Sequence, residues 1–362
     1  MKLVEYDTPA LVLDIEVAES NIKRMGEYFQ GKKVHLRPHV KVHKSPLLAH
    51  KQIAAGAKGI TCAKLSEAEV MANSGIDDIL IANEIVGSDK LRRLAHLARR
   101  CRVTVLVDDL INANQMSKIA SEMNSKIGVL VELNLGSDLS GILDRCGVLP
   151  GQPAVELARE LVKLKNIEFR GLMGYEGSLR KFTDFESKRA AVRNALGRLV
   201  ETKDLVQDTG LNVGEVSCGG TWSYRIASEI HGVTEIQAGS YVFMDTSYQK
   251  NGIDFDFALT VLTRVISRPR SEKIIVDAGL KTISADSGLP TVKNMPEVEC
   301  VGLNAEHGHF KLGKESNLSV GQRIELLPTH VDTTVCLHDN YVIVRRGEVE
   351  TILEIACRGK LQ

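Results

Sequence analysis

Several features that mark specialised proteins are absent from this sequence of 362 residues. Basic and acidic side chains are equal in number, 46 of each, so no charge surplus points to nucleic acid or an anionic membrane. No apolar run approaches the roughly 20 residues of a membrane helix, and the first residues show no cationic-then-apolar signal layout. We therefore expect a soluble, cytoplasmic protein without nucleic-acid or membrane partners.

Cysteine is sparse and scattered. The seven cysteines are odd in number and never form a C-x-x-C pair. Neither a disulfide framework nor a thiolate zinc site is therefore indicated. With 43% apolar residues the chain can bury a large core, and its length suits two domains.

The chain does contain a regular alternation of short β-branched runs and amphipathic stretches. Helical periodicity predicts helices at 15–30, 65–73, 109–122, 151–165 and 184–201. Strands are predicted at 34–41, 59–62, 78–82, 103–108, 127–133, 168–174, 213–218 and 233–238. Eight strand–helix units favour an α/β fold of the (β/α)8 TIM-barrel type, although an open doubly wound sheet has the same alternation.

After about residue 250 the helical periodicity stops and turn signals separate short strands. Strands are predicted there at 257–268, 273–278, 297–303, 321–328, 333–337, 340–346 and 349–356. The early segment TPALVLD also predicts a strand, which we expect to pair with this region. We therefore predict a barrel over 15–248 and a mainly antiparallel β domain formed by 1–14 and 249–362.

The segment RPHVKVHK, residues 37–44, concentrates five cations in a predicted strand. In a strand, Lys41 shares one face with His39 and the other odd-numbered residues, Arg37 and His43. Lys41 would lie where the first strand ends, the end at which barrels place their chemistry. Neighbouring cations favour the neutral amine that a Schiff-base lysine requires. A solvated cluster of surface cations is the alternative.

Two glycine-bearing turns follow the predicted seventh and eighth strands, SCGGTWSY at 217–224 and QAGSYVFMD at 237–245. Glycine lets backbone N–H groups close on an anion, and the loops at these positions of a barrel commonly bind phosphate. Ordinary turns are the other interpretation. A reactive lysine combined with a phosphate site suggests pyridoxal 5′-phosphate.

These motifs, with AGAKGITCAKLSEAE, DRCGV, GLMGYEG, VDAGLKTISADSGLP and PTHVDTTVCLHD, resemble the D-threonine aldolase and eukaryotic-type D-serine dehydratase family. The motifs keep their order over essentially the whole chain. The resemblance implies a fold-type III pyridoxal-phosphate enzyme with an alanine-racemase-like barrel, a homodimer, and cleavage of D-3-hydroxy amino acids to glycine and an aldehyde. Lys41 matches the position that links the cofactor.

The resemblance also implies how the cofactor is held. Arg145 in DRCGV matches an arginine that faces the pyridine nitrogen, which leaves that nitrogen unprotonated. The other implied cofactor-binding residues are His39, Tyr175, Gly220, Thr221, Gly239, Ser240 and Tyr241. Without the family, Arg145 would be interpreted as a surface ion-pair partner and Tyr175 as a core aromatic.

His330 and Asp332 in PTHVDTT form a candidate metal pair. They lie on one face if the segment is extended, and an imidazole with a carboxylate suits a divalent cation, although a buried hydrogen bond is the commoner explanation. In the family this His-x-Asp or His-x-Cys pair holds a metal against the substrate's β-oxygen. The oxygen donor of Asp332 favours Mn²⁺ or Mg²⁺, with Zn²⁺ as the alternative, and favours an aldolase over a dehydratase.

One departure from the family leaves the substrate open. The loop YEGSLRKF, residues 175–182, lacks the histidine that family aldolases carry there, so a metal-bound hydroxide or His307 is left as the base. Arg180 and Lys181 suit a substrate β-carboxylate, as in 3-hydroxy-D-aspartate cleavage. D-serine or D-threo-3-hydroxyaspartate dehydration, amino-acid racemisation and cofactor carriage without catalysis are the remaining alternatives.

Overall fold

The computed structural model of the protein describes residues 2–136, 145–181, 184–313 and 316–362. Contacts divide the chain into two compact units. The barrel unit comprises Gly26–Lys41, Pro46–Gly239 and Lys360–Gln362, and the β unit comprises Met1–Met25, Val42–Ser45 and Ser240–Gly359. Within the described ranges no helix combines the length and apolar character needed to cross a bilayer.

The strands in chain order are β1 (Ala10–Asp14), β2 (His35–Leu36), β3 (Ile60–Cys62), β4 (Asp78–Glu84), β5 (Arg102–Val107), β6 (Ile127–Leu133), β7 (Ile167–Gly174), β8 (Glu215–Cys218), β9 (Glu235–Ile236), β10 (Leu259–Arg270), β11 (Lys273–Val276), β12 (Thr291–Val292), β13 (Val298–Leu303), β14 (Gly308–Leu312), β15 (Arg323–Leu327), β16 (Asn340–Arg345) and β17 (Glu348–Glu354). The α-helices are α1 (Ile15–Phe29), α2 (Pro46–Ala54), α3 (Leu65–Asn73), α4 (Ser88–Leu97), α5 (Leu110–Glu122), α6 (Gln152–Leu161), α7 (Phe185–Asp208), α8 (Tyr224–Ala227), α9 (Thr246–Lys250) and α10 (Val331–Val335).

Strands β2 to β9 form one parallel sheet in the barrel unit, in the spatial order β2-β9-β8-β7-β6-β5-β4-β3. A bridge between His39 and Thr61 joins the two ends, and the Thr61 N–H donates to the Pro38 carbonyl at 2.8 Å. The central strand β6 is buried along its whole length, as expected for an apolar run covered on both faces. This contact joins the two edge strands β2 and β3, which stay apart in an open sheet. The predicted barrel is therefore confirmed.

The first barrel strand is much shorter than predicted. Only His35–Leu36 pairs as a strand, and a 3-10 turn follows at Val40–Val42. Pro38 has no N–H to donate to β3, so the regular ladder cannot continue through it. The alternating face predicted for residues 37–44 is therefore wrong.

Arg37 lies at the opposite end of the barrel from the predicted site. Its guanidinium is 1% exposed and donates to Glu235 at 3.0 Å and to Asp78 at 2.7 Å. These acids begin strands β9 and β4, so the group sits at the amino ends of the strands. Burial opposes its charge, yet Glu235 and Asp78 outweigh that effect and raise the pKa of Arg37. The residue stabilises the barrel base and does not line the site.

The β unit is built on a mainly antiparallel sheet. Strand β1 pairs antiparallel with β10 and parallel with β16, which confirms the prediction that TPALVLD joins the later strands. The strand predicted at 333–337 is wrong, because Val331–Val335 is helix α10. Its first N–H donates to Asp245 at 3.4 Å, and Thr334 Oγ1 donates to the His330 carbonyl at 2.9 Å. These tertiary and local bonds satisfy the helix end and override the β-branched composition.

Candidate active site

Lys41 lies in the 3-10 turn just beyond the carboxyl end of β2. Its side chain and that of His39 are half-buried. The His39 N–H donates to the carbonyl of Ala238, just beyond β9, at 3.1 Å, and the Lys41 N–H lies 3.5 Å from His39 Nδ1. The backbone therefore places a lysine and an imidazole at the end of the barrel where the chemistry of this fold resides.

Tyr175 follows the last residue of β7 and has a tightly defined ring position. Its ring packs against the buried cluster of Leu80, Leu106, Leu130 and Met173. A Cβ on Gly177 would collide with the ring, and a Cβ on Gly220 would lie 3.5 Å from its hydroxyl. The Arg145 guanidinium carbon lies 5.1 Å from the ring centroid, in cation–π geometry. Three of the predicted residues, Arg145, Tyr175 and Gly220, are thus brought together.

Glu176, which the sequence interpretation missed, ties Tyr175 to the glycine turn after β8. Its carboxylate is 1% exposed and accepts hydrogen bonds from Ser223 Oγ at 2.5 Å and from the Gly219 N–H at 3.3 Å. Burial raises the pKa of Glu176, although these hydrogen bonds act in the opposite direction. Gly219 has a φ of +76°, so only glycine adopts this turn without strain.

An acidic pair lies close to Arg145. Glu132, near the end of β6, is 4% exposed. Burial raises its pKa most, followed by a hydrogen bond with Glu84 and the charge of Glu84, whereas Arg145 acts in the opposite direction. Glu132 therefore retains its proton above the ordinary range, and the Arg145 guanidinium provides a positive charge beside it.

The turn after β9 is buried. Gly239 ends the barrel unit, and Ser240 and Tyr241 open the β unit in a 3-10 turn. Tyr241 is fully buried, with its ring centroid 5.5 Å from that of Phe255. Thr221 in the turn after β8 is also buried. All these predicted residues lie at carboxyl ends of barrel strands or directly after them.

His330 immediately precedes helix α10, and Asp332 lies in its first turn, so the shared face considered for an extended segment does not apply. His330 Nδ1 lies 2.7 Å from Asp286 Oδ2. Burial acts to raise the pKa of Asp286, but hydrogen bonds from His330, Ser284 and Thr333 outweigh it and lower that pKa. An ionised Asp286 accepts a hydrogen bond from the Nδ1–H of His330. The Nε2 lone pair of His330 is then available to a ligand.

The imidazole of His330 and the carboxylate of Asp332 suit a divalent cation that has few protein ligands. Among the described residues no group of three or more His, Cys, Asp or Glu side chains is arranged to hold a metal. A cation here would have an imidazole nitrogen and the Asp332 carboxylate as protein ligands, with water or substrate completing its shell. Mn²⁺ and Mg²⁺ commonly retain such waters.

Some candidates from the sequence have a different or undescribed position. His307 is exposed in the turn between β13 and β14. The side chains of Arg180 and Lys181, and residues 137–144 and 182–183, lie outside the described part of the chain. Asp286 lies within the motif VDAGLKTISADSGLP, but its pairing with His330, 44 positions later, was not predicted. Glu176 carried only a weak sequence signal, its place next to Tyr175.

The chain matches two family models, alanine racemase, N-terminal domain, over residues 13–247, and a serine dehydratase domain over residues 258–344. It is 38% identical to D-threonine aldolase from Arthrobacter sp. over 99% of this chain and 94% of that protein. It is 37% identical to 3-hydroxy-D-aspartate aldolase from Paracoccus denitrificans strain Pd 1222, over 98% and 93% of the two chains. The crystal structure of D-threonine aldolase from Filomicrobium marinum superposes with a TM-score of 0.95 at 36% identity, covering 100% and 98% of the chains.

The chain belongs to the alanine-racemase-like family of fold-type III enzymes that includes these aldolases. This confirms the family predicted from the motifs and the assignment of the protein as a lyase. Family membership also supports pyridoxal 5′-phosphate as the cofactor.

Proposed function

We propose that the protein is a pyridoxal-phosphate- and divalent-metal-dependent aldolase that cleaves D-3-hydroxy amino acids of the D-threonine type to glycine and an aldehyde. The main observation behind this proposal is the hydrogen bond between His330 Nδ1 and Asp286. This bond leaves the other ring nitrogen, Nε2, available to a ligand. A racemase or a cofactor carrier has no use for such a ligand. The hard oxygen donor of Asp332 in the family's His-x-Asp position distinguishes the proposal from the dehydratase alternative.

The barrel unit would hold the cofactor. Pyridoxal phosphate supplies an electron-withdrawing ring that stabilises negative charge at the substrate's Cα. Lys41 would bind it covalently through Nζ, and Arg145, fixed over the Tyr175 ring, would face its pyridine nitrogen. A guanidinium offers no hydrogen-bond acceptor for a pyridinium N–H, so Arg145 would favour an unprotonated nitrogen and disfavour reactions that need a stronger electron sink. His39, Thr221, Gly239, Ser240 and Tyr241 are proposed to complete this site.

The β unit would supply the metal ligands. A divalent cation acts as a Lewis acid toward a substrate hydroxyl. His330 would bind it through Nε2 and Asp332 through a carboxylate oxygen, giving Mn²⁺ or Mg²⁺ preference over Zn²⁺. Asp286 would hold the imidazole so that Nε2 is available to the cation.

The deciding experiment incubates the purified protein with D-threonine, D-serine and 3-hydroxy-D-aspartate, with and without a chelator. Glycine plus an aldehyde, lost with the chelator and restored by Mn²⁺, is expected. Pyruvate or oxaloacetate with ammonia would replace the proposal by a dehydratase. Inversion at Cα without cleavage would replace it by a racemase, and cofactor binding without turnover of any substrate by a carrier.

3-Hydroxy-D-aspartate is the second candidate substrate. The loop after Tyr175 carries two consecutive cations, Arg180 and Lys181, where the family aldolases carry a histidine. Cations suit a substrate β-carboxylate. A double R180A/K181A variant should raise KM for 3-hydroxy-D-aspartate while leaving KM for D-threonine unchanged, and equal effects on both substrates would exclude this assignment. We also propose a homodimer, which light scattering of the purified protein tests.

A further inference from the structure

Trp222 is the only tryptophan of the chain and lies in the glycine turn after β8. Its side chain is 2% exposed, and its indole N–H has no hydrogen-bond partner in the described part of the chain. Buried donors are nearly always satisfied, so this indole N–H needs an acceptor from outside the described chain, and a bound ligand can supply one.

Three donors of this turn are already used. The Gly219 N–H donates to Glu176, and the Gly220 N–H donates to Ser223 Oγ at 3.1 Å. Ser223 Oγ itself donates to Glu176. The sequence suggested that glycine N–H groups bind the phosphate, but both glycine N–H groups are engaged inside the turn. An anion here would need donors other than these.

The Cδ1 edge of the indole and the Tyr175 hydroxyl both lie next to Gly220. A Cβ on Gly220 would lie 3.5 Å from Trp222 Cδ1, the carbon bonded to Nε1, and 3.5 Å from Tyr175 Oη. The space above the Gly220 Cα is thus bordered by two polar aromatic groups. Gly220 itself contributes no side chain to this space.

We propose that Trp222 Nε1–H donates a hydrogen bond to the phosphate of pyridoxal 5′-phosphate, as a cofactor-binding residue of the turn after β8. This inference rests on the proposed function, which supplies the cofactor. It assigns phosphate recognition in this turn to a side-chain donor, with Glu176 and Ser223 holding the backbone in place.

The single tryptophan makes the inference directly measurable. Apoprotein labelled with ¹⁵N-tryptophan gives one indole N–H resonance, which is followed during titration with pyridoxal 5′-phosphate, pyridoxal or inorganic phosphate. We expect the indole proton to move downfield with pyridoxal phosphate and with phosphate but not with pyridoxal. Equal shifts with both cofactor forms, or none, would overturn the inference. If the wild type binds no pyridoxal phosphate, the proposed function fails instead.

A second test uses Trp222→Phe, which keeps an aromatic ring and removes the donor. Loss of a hydrogen bond to a charged group should weaken pyridoxal phosphate binding about tenfold or more while pyridoxal binding stays unchanged. Equal affinity of Trp222→Phe and wild type for pyridoxal phosphate would contradict the inference. If the variant does not fold, the titration of the wild-type indole resonance still tests the inference.

Discussion

His330 Nδ1 and Asp286 Oδ2 lie 2.7 Å apart, although 44 residues separate them in the chain. The carboxylate selects the tautomer in which Nε2 is free to bind a cation. Asp286→Ala should therefore weaken Mn²⁺ binding about 10- to 100-fold, the usual effect of removing a group that orients a metal ligand. Electron paramagnetic resonance of free Mn²⁺ measures this without any turnover. The exposed Asp89→Ala is the control, and unchanged affinity in Asp286→Ala would show that the bond is structural only.

Lys41 should carry the cofactor. Lys41→Ala is expected to lose the visible absorbance of bound pyridoxal phosphate, because no other group at that position forms the covalent link. The exposed Lys33→Ala should keep it. Borohydride reduction followed by peptide mapping identifies the labelled residue, and a label on any other lysine would refute the assignment.

Arg145 should restrict the reaction to cleavage. Arg145→Glu, which places an acid where the arginine lies over Tyr175, should favour a protonated pyridine nitrogen and increase transamination. Pyridoxamine phosphate, quantified by chromatography after turnover, is the readout. Arg159→Glu, on the exposed face of α6, should behave as the wild type. An unchanged product range in a folded, cofactor-loaded Arg145→Glu would contradict this role.

Glu132 should make stability depend on pH. Its raised pKa in the folded protein means that the folded state retains a proton that the unfolded chain releases near the ordinary value of about 4.3. Stability from this group is therefore complete below that value and decreases as the pH rises toward the folded pKa. Glu132→Gln should match the wild type near pH 5 and exceed it by at least about 1 kcal/mol near pH 9. Urea midpoints across this range measure the difference, which Glu122→Gln on the exposed face of α5 should not show.

Arg37 should be a major determinant of barrel stability. Arg37→Met removes the buried guanidinium from Asp78 and Glu235 and leaves them with Arg102 and Lys58, respectively, which costs up to about 3–5 kcal/mol. Arg24→Met removes exposed ion pairs with Asp254 and Asp256 and should cost only about 0–1 kcal/mol. Equal shifts of the two denaturation midpoints would show that the buried charges are compensated elsewhere.

The sequence by itself determined the barrel, the later β strands and the family motifs. Periodicity is local information: strand β6 is a continuous apolar run and α3 an amphipathic one, so their positions were predictable without tertiary contacts. The location of Lys41 near the end of the first barrel strand was predicted from the same local pattern, although that strand is shorter than expected.

Tertiary structure decided what each polar side chain does. Arg37 and His39 are two residues apart, yet Arg37 pairs with distant acids at the barrel base whereas His39 lies at the other end. Residues 331–335 have strand-like composition, but the carboxylate of Asp245 binds the first N–H of α10 and favours a helix. Asp286 reaches His330 and Glu176 reaches Gly219 only in the folded chain. Buried charges and hydrogen-bond donors find their partners among residues remote in sequence. No local sequence pattern encodes which partner each of them binds.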